Sequence, residues 1–281
     1  MPTNKRERKR AGHQARQAAA AAASRRRRAR RSRAIAGAFL ALVLVAGVAV
    51  VVSGGNDSQD VASTDTSTTV NGQSNSTTAA KKPVDLPPVP PGQSLKGDTP
   101  CPPADGSAPR TTTFEKAPPL CVVVAKTYQA EMNTSKGVMV IDLDVKNATK
   151  TVNNFVVLSR YHFYDGIAFH RIIPGFVIQG GDPQGTGTGG PGYKFEDELP
   201  KGSYKIGSLA MANSGPNTNG SQFFIVTGDA GTSLQPNNSL FGQVTQGQDV
   251  MKAIEDTGIP GTQDGKPSEV VKINSITIKE T

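Results

Sequence analysis

The stretch FHRIIPGFVIQGGD, residues 169–182, is where the fold and the chemistry of this chain are most legible. It reads as two short strand-like runs, 169–173 and 176–179, with a single arginine, Arg171, set among apolar residues. Working outward, 208–211 and 222–226 are further short runs of the same kind. Residues 128–132 and 137–143 alternate apolar and polar positions on either side of Asn133-Thr-Ser-Lys136 and predict a β-hairpin. Residues 147–160 carry Val152, Phe155, Val156 and Leu158 at near-helical spacing behind a capping-type Asn or Thr, and 247–256 fits a second helix. Residues 269–279 alternate like a closing strand. Strands outnumber helices, which argues for a closed or sandwich-like β architecture rather than an α/β sheet.

Two more blocks complete the pattern: MAN at 211–213 and NGSQFFI at 219–225. Together with 169–182, in this order and spacing, they closely resemble the cyclophilin family of peptidyl-prolyl cis-trans isomerases over about 150 residues, from near Tyr128 to near Ile278. That resemblance implies a mainly β fold, an eight-stranded antiparallel closed barrel capped by two helices, with a groove on its outer surface. It also implies roles. Arg171 matches the family's catalytic arginine, whose guanidinium sits over the prolyl amide, and Gln179 orients it and contacts substrate. Phe176, Val177, Phe224 and Leu234 line the proline pocket. Asn213 and Gln222, with the backbone at Ala212, hold the peptide main chain.

The residue types suit that reaction independently. Rotating a peptide bond breaks amide resonance against a barrier of ~18–20 kcal/mol, and only X-Pro bonds have cis and trans forms close in energy. The reaction needs no nucleophile, metal or cofactor. It is helped by a donor aimed at the proline nitrogen, whose lone pair is freed as the bond twists, and by an apolar pocket that fixes the ring. A permanently charged guanidinium suits the first task. His170 is read as structural, because no proton has to move.

Two positions depart from the family. The tryptophan that many members carry in the groove falls at Ser233, and the familiar histidine nearby becomes Asn238. Both changes alter the rim and leave the donor and ring pocket in place. Residues 185–190 spell G-x-G-x-x-G, but Pro191 and Gly192 follow at once and no helical period comes after. A dinucleotide site, which needs a helix to begin at the glycines, is therefore excluded in favour of a flexible surface loop.

The net charge of +8 is unevenly spread: residues 1–33 hold 13 of the 31 Lys and Arg and one of the 23 acidic residues, which leaves 18 basic against 22 acidic beyond them. The body is thus mildly acidic, and no nucleic-acid partner is expected. AIAGAFLALVLVAGVAVVV, residues 34–52, is 19 residues without a charge, enough to span ~30 Å of hydrocarbon. The arginines just before it place the N-terminus in the cytoplasm. The run is long for a cleaved signal and lacks a small-residue cleavage pattern, so it reads as an uncleaved signal-anchor.

Residues 53–119 are rich in Ser, Thr, Asn, Gly and Pro and read as a disordered linker, stiffened around the prolines of 84–92. Cys101 and Cys121 have no metal-ligand spacing. In an exported chain they are disulfide candidates, with two free thiols as the alternative.

The expected organisation is a basic cytoplasmic tail (1–33), a transmembrane anchor (34–52), a disordered linker (53–119) and an isomerase domain (120–281). The expected function is cis-trans isomerisation of X-Pro bonds during folding of exported proteins, by a single-pass membrane protein whose domain lies outside the cytoplasm. Proline-containing peptides and unfolded exported proteins are its partners, it acts as a monomer, and it uses no cofactor or metal. The alternatives are a proline-loop binding module or chaperone with incidental turnover, and a scaffold whose basic tail recruits an intracellular partner.

Overall fold

A computed structural model describes residues 80–262 and 264–281, and the expected tail and membrane anchor lie outside them. Among the described residues no helix is long and apolar enough to cross a membrane.

The hairpin comes first in the domain. Strands β3 (Tyr128–Thr134) and β4 (Gly137–Leu143) pair antiparallel, with Tyr128, Ala130 and Met132 opposite Leu143, Ile141 and Met139. All six side chains point inward and are buried, as the period of two requires. The turn is tighter than the sequence suggests: the ladder runs on to Thr134 and Gly137, and the Thr134 hydroxyl donates to the Gly137 carbonyl.

Five further short strands, β5 (Arg171–Ile173), β6 (Val177–Gly180), β7 (Ser208–Met211), β8 (Phe223–Val226) and β9 (Leu240–Gln246), and the final β10 (Ile273–Glu280) complete an eight-stranded antiparallel sheet. Its order is β10-β3-β4-β9-β7-β8-β6-β5. The two ends curl together just ahead of their strands. Ala168 bridges Lys272, and the Phe169 and Ile273 amides donate to Val271 and Ile167. The sheet therefore closes on itself through this short contact rather than through a ladder between β5 and β10.

Helix α1 (Thr149–Arg160) covers the barrel and is buried from Thr151 onward. Its cap differs from expectation. The N-cap is Ala148, which has no side chain to cap with, and Asn147 donates to Asp144 instead. The orphan amides of Lys150 and Thr151 are taken by the carboxylate of Glu198, 48 and 47 residues away. A carboxylate there also complements the positive end of the helix. Phe155 on this helix meets Tyr164, Phe241 and Phe223 at ring-centroid distances of 5.2, 5.3 and 5.8 Å, forming the centre of the core. Two shorter helices follow, α2 (Asp229–Thr232) and α3 (Gln248–Glu255), the second packing Met251 and Ile254 inward.

The expected disordered linker is corrected from residue 80 onward. Residues 80–119 are ordered against the barrel, and β1 (Gln93–Leu95) and β2 (Thr111–Phe114) form a parallel pair of their own. Composition misleads here because the segment has no core of its own and borrows the barrel's: Phe114 is 1% exposed and Thr111 fully buried. Tethers do the rest. Thr111 N–H donates to the Tyr161 carbonyl, the Tyr161 hydroxyl to Pro100, and Arg110 Nη1 to the His162 carbonyl. Cys101 and Cys121 are joined in a disulfide with their Cα atoms 5.5 Å apart.

Candidate active site

Of the strands that build the site, β7 and β8 are buried on both faces while Arg171, Ile173 and Gln179 on β5 and β6 are half-buried, and the alternation divides two sets of side chains. From β5, β6, β8 and β7, Ile172, Ile178, Ile225 and Leu209 stand in register and point into the barrel. Their neighbours point out. Arg171 pairs with Gln179, Gln179 with Phe224, and Phe224 with Ala210, so one row on the outer face runs from a guanidinium through an amide to an aromatic ring.

That outer face carries a second, smaller apolar cluster. Val177, Tyr204, Ala210, Phe224 and Val226 are buried in it, and Phe176, Ala212, Leu234 and Leu240 are half-buried against it. All four residues expected to line a proline pocket belong to this cluster, although they come from β6 with its preceding turn, β8 and the segment after α2. The last is brought in by close backbone contact: Ala230 and Thr227 amides donate to the Gly175 and Phe176 carbonyls. Gly175 is itself held, since its amide donates to the buried carboxylate of Glu255 on α3 at 2.7 Å.

Polar side chains form a chain along one edge of this cluster. Arg171 Nη1 donates to Gln179 Oε1 at 3.4 Å, Gln179 Nε2 to Gln222 Oε1 at 3.1 Å, and Gln222 Nε2 to the Gly189 carbonyl at 2.9 Å. The guanidinium also lies over the Phe176 ring, Cζ 5.8 Å from its centroid, a cation–π contact. Partial burial pulls its pKa down from the usual guanidinium value, but an arginine retains its charge in a protein. The Ala212 amide donates to the Gln222 carbonyl, and Asn213 reaches the Asn237 carbonyl through Nδ2. Arg171, Gln179, Phe176, Val177, Ala212, Asn213, Gln222, Phe224 and Leu234 are thus gathered on one surface.

Gln179, Gln222 and Ala212 also border an open cleft of about 590 Å³, one wall of which is residues 187–194. This wall includes the glycine-rich stretch expected to be a flexible loop. It is pinned instead. The fully buried carboxylate of Asp182 accepts from the amides of Gln184, Thr186, Gly187 and Gly189 at 2.7, 3.0, 2.6 and 3.2 Å. The glycines serve to aim backbone N–H groups at a carboxylate of the same chain.

His170 is 8% exposed, neither ring nitrogen has a hydrogen-bond partner among the described residues, and burial pushes its pKa down. Ser233 is exposed at the end of α2, while Asn238 donates to the Met211 carbonyl and so stitches the pocket's rim.

Two supporting residues are missed by sequence reasoning. Tyr204 forms part of the pocket floor, its ring edge-on to Phe224 at 6.2 Å and its hydroxyl donating to the Asn238 carbonyl. Gly265 lies against the Arg171 stem, where an added Cβ would come within 2.8 Å of Cγ. Tyr204 sits in a loop with no periodic pattern, and only the folded sheet brings either residue to the site.

Residues 129–278 match the family model described as Cyclophilin type peptidyl-prolyl cis-trans isomerase/CLD. Among curated relatives, the probable peptidyl-prolyl cis-trans isomerase A of Mycobacterium leprae is 46% identical over 168 residues, covering 53% of this chain and 91% of that protein. The peptidyl-prolyl cis-trans isomerase CYP18-2 of Arabidopsis thaliana is 42% identical over 150 residues, covering 52% and 90%. A crystal structure of a cyclophilin type peptidyl-prolyl cis-trans isomerase of Cryptosporidium parvum is similar at a TM-score of 0.51 and 35% identity, covering 54% of this chain and 98% of that one. The same protein has been crystallised in the presence of the dipeptide Ala-Pro, and that structure matches at a TM-score of 0.50. This chain belongs to the cyclophilin type peptidyl-prolyl cis-trans isomerase family, and the enzyme class expected from its sequence is the class of that family.

Proposed function

We propose that the outer-face row and its apolar cluster form the catalytic groove of an X-Pro isomerase, with Arg171 as the donor to the prolyl nitrogen. The observation that carries this is the chain Arg171–Gln179–Gln222 running along the edge of the pocket made by Phe176, Val177, Phe224 and Leu234. A proline ring in that pocket is held while the preceding carbonyl turns. As the amide twists out of conjugation its nitrogen becomes an acceptor, and a guanidinium at the pocket edge stabilises that state more than the planar ground state. Gln179 fixes the guanidinium, while Gln222, Asn213 and the Ala212 backbone hold the peptide main chain. A charged hydrogen bond contributes roughly 1.5–3 kcal/mol, about ten- to a hundredfold in rate, so the pocket's grip on the twisted state supplies the remainder.

The clients are proline-containing segments of proteins folding outside the cytoplasm, and the domain is held there by the span at 34–52. Two features support this location: the arginine-flanked apolar run and the Cys101–Cys121 disulfide, a bond at home in oxidising compartments.

The test is isomerisation of an X-Pro tetrapeptide by the full chain in detergent, wild type beside Arg171→Ala. Wild-type acceleration that falls by one to two orders of magnitude in the variant supports the assignment. A folded wild type that does not beat the uncatalysed rate overturns it. Location is read separately, by adding protease to intact expressing cells: loss of the domain is expected, and protection until lysis refutes the proposed topology.

A further inference from the structure

Residues 80–127 precede the family match at 129–278, yet their contacts converge on the loops that frame the groove. The Phe114 amide donates to the Pro191 carbonyl at 2.8 Å, and its ring meets Tyr193 edge-on at 6.3 Å. Pro191 and Tyr193 both line the 590 Å³ cleft. Between them, Gly192 adopts φ +111°, and a Cβ there would collide with the Phe114 carbonyl oxygen. Only glycine allows the cleft wall and β2 to approach this closely. Tyr193 in turn donates through its hydroxyl to Asn154 on α1 at 2.6 Å.

Two more contacts act on neighbouring loops. Leu86 lies against Gly185 in the loop gathered by Asp182, its Cδ1 3.3 Å from where a Cβ would stand. The Val84 amide donates to the Pro267 carbonyl at 3.0 Å, two residues beyond Gly265, which touches the Arg171 stem. The far end of the segment is fastened to α1 by Asn153, which accepts from the Cys121 amide at 2.6 Å and donates to the Pro119 carbonyl, while the disulfide ties Cys121 back to Cys101 within the segment itself.

We infer that residues 80–127 are a positioning strap for the substrate groove, with Phe114 as the positioning residue that holds the Pro191–Tyr193 wall of the cleft beside Gln222. The strap touches no reacting atom. It sets the width of the peptide-receiving cleft that Gln179 and Gln222 border, and so acts on binding rather than on the twisting step.

This inference rests on the groove proposed above, and its test separates the two. The full chain and its Phe114→Ala and Phe114→Leu variants are assayed for kcat and KM on an X-Pro tetrapeptide, and for Kd by titration with the same peptide. Loss of a wall contact is expected to raise KM and Kd about three- to tenfold in Phe114→Ala, less in Phe114→Leu, with kcat within about twofold. A merely structural role gives a different result, because a reduced fraction of folded enzyme lowers kcat and leaves KM unchanged. Unchanged KM and Kd in folded Phe114→Ala, or kcat loss alone, overturns the inference. If Phe114→Ala does not fold, Phe114→Leu decides on the same criteria. If the wild type binds the peptide without turning it over, the catalytic reading fails and Kd alone decides for the strap.

Discussion

Arg171 and Gln179 face each other as directly paired residues of β5 and β6, with Nη1 of one 3.4 Å from Oε1 of the other. The contact is long for a hydrogen bond, so its value lies in restricting the guanidinium rather than in its own strength. Gln179 can do this because its amide is oriented by Gln222, which is oriented by the Gly189 carbonyl. The same face carries Phe224 next in the row, so only β6 separates the guanidinium from the aromatic ring.

Arg171→Lys should keep the charge and lose the planar fork, lowering kcat/KM by about tenfold, between wild type and Arg171→Ala. Gln179→Ala should lower it about three- to tenfold by releasing the guanidinium. Tetrapeptide kinetics on all three variants check the ranking, and a lysine variant with wild-type activity would show that charge alone suffices.

Phe224→Ala removes a ring that is 6% exposed and forms the pocket floor. It should cost about 3 kcal/mol or more of stability and reduce kcat/KM sharply. Denaturant unfolding and kinetics on the same preparation check both effects, and a stable variant with intact activity would remove Phe224 from the pocket.

Replacing both Cys101 and Cys121 by serine opens a loop closed across 20 residues. The chain-entropy model gives a loss of roughly 3 kcal/mol. The denaturation midpoint of the wild type under reducing conditions should approach that of the double variant under oxidising ones.

Glu198→Ala leaves the first amides of α1 without their acceptor and should cost about 1 kcal/mol or somewhat more. Glu198→Gln keeps an oxygen and drops the charge, so its loss should be smaller. Thermal unfolding of the pair measures the part due to charge at the helix end.

Burial holds the His170 pKa below its usual 6.5; Asp182 works against this shift and Arg171 with it. The unfolded chain then takes up the proton first as pH falls, so the contribution of neutral His170 to stability is complete above about pH 6.5 and is lost as pH falls through the interval down to the folded value. Unfolding curves at several pH values between 4.5 and 7.5 should show this acid-side loss in wild type and less of it in His170→Gln. Parallel curves would mean that His170 does not titrate differently on folding.

The sequence alone determined the local structure wherever the local pattern was also the tertiary pattern. The β3–β4 hairpin alternates because one face meets the core, and the apolar residues of α1 recur at helical spacing where Phe155 and its neighbours pack into the barrel. Three separated blocks around Arg171, Met211 and Gln222 were enough to name a family, and with it the nine residues now found on one face.

What only the tertiary structure decided has a common physical reason: the partner lies far along the chain. The cap of α1 is Glu198, the pocket floor includes Tyr204, and the glycine-rich loop is ordered by one buried carboxylate, Asp182. The polar, proline-rich stretch before the barrel looked unable to bury enough surface to fold. It is ordered because Phe114 enters the barrel's core and Cys101 is bonded to Cys121, so the entropy of ordering the strap is offset by surface that belongs to the barrel.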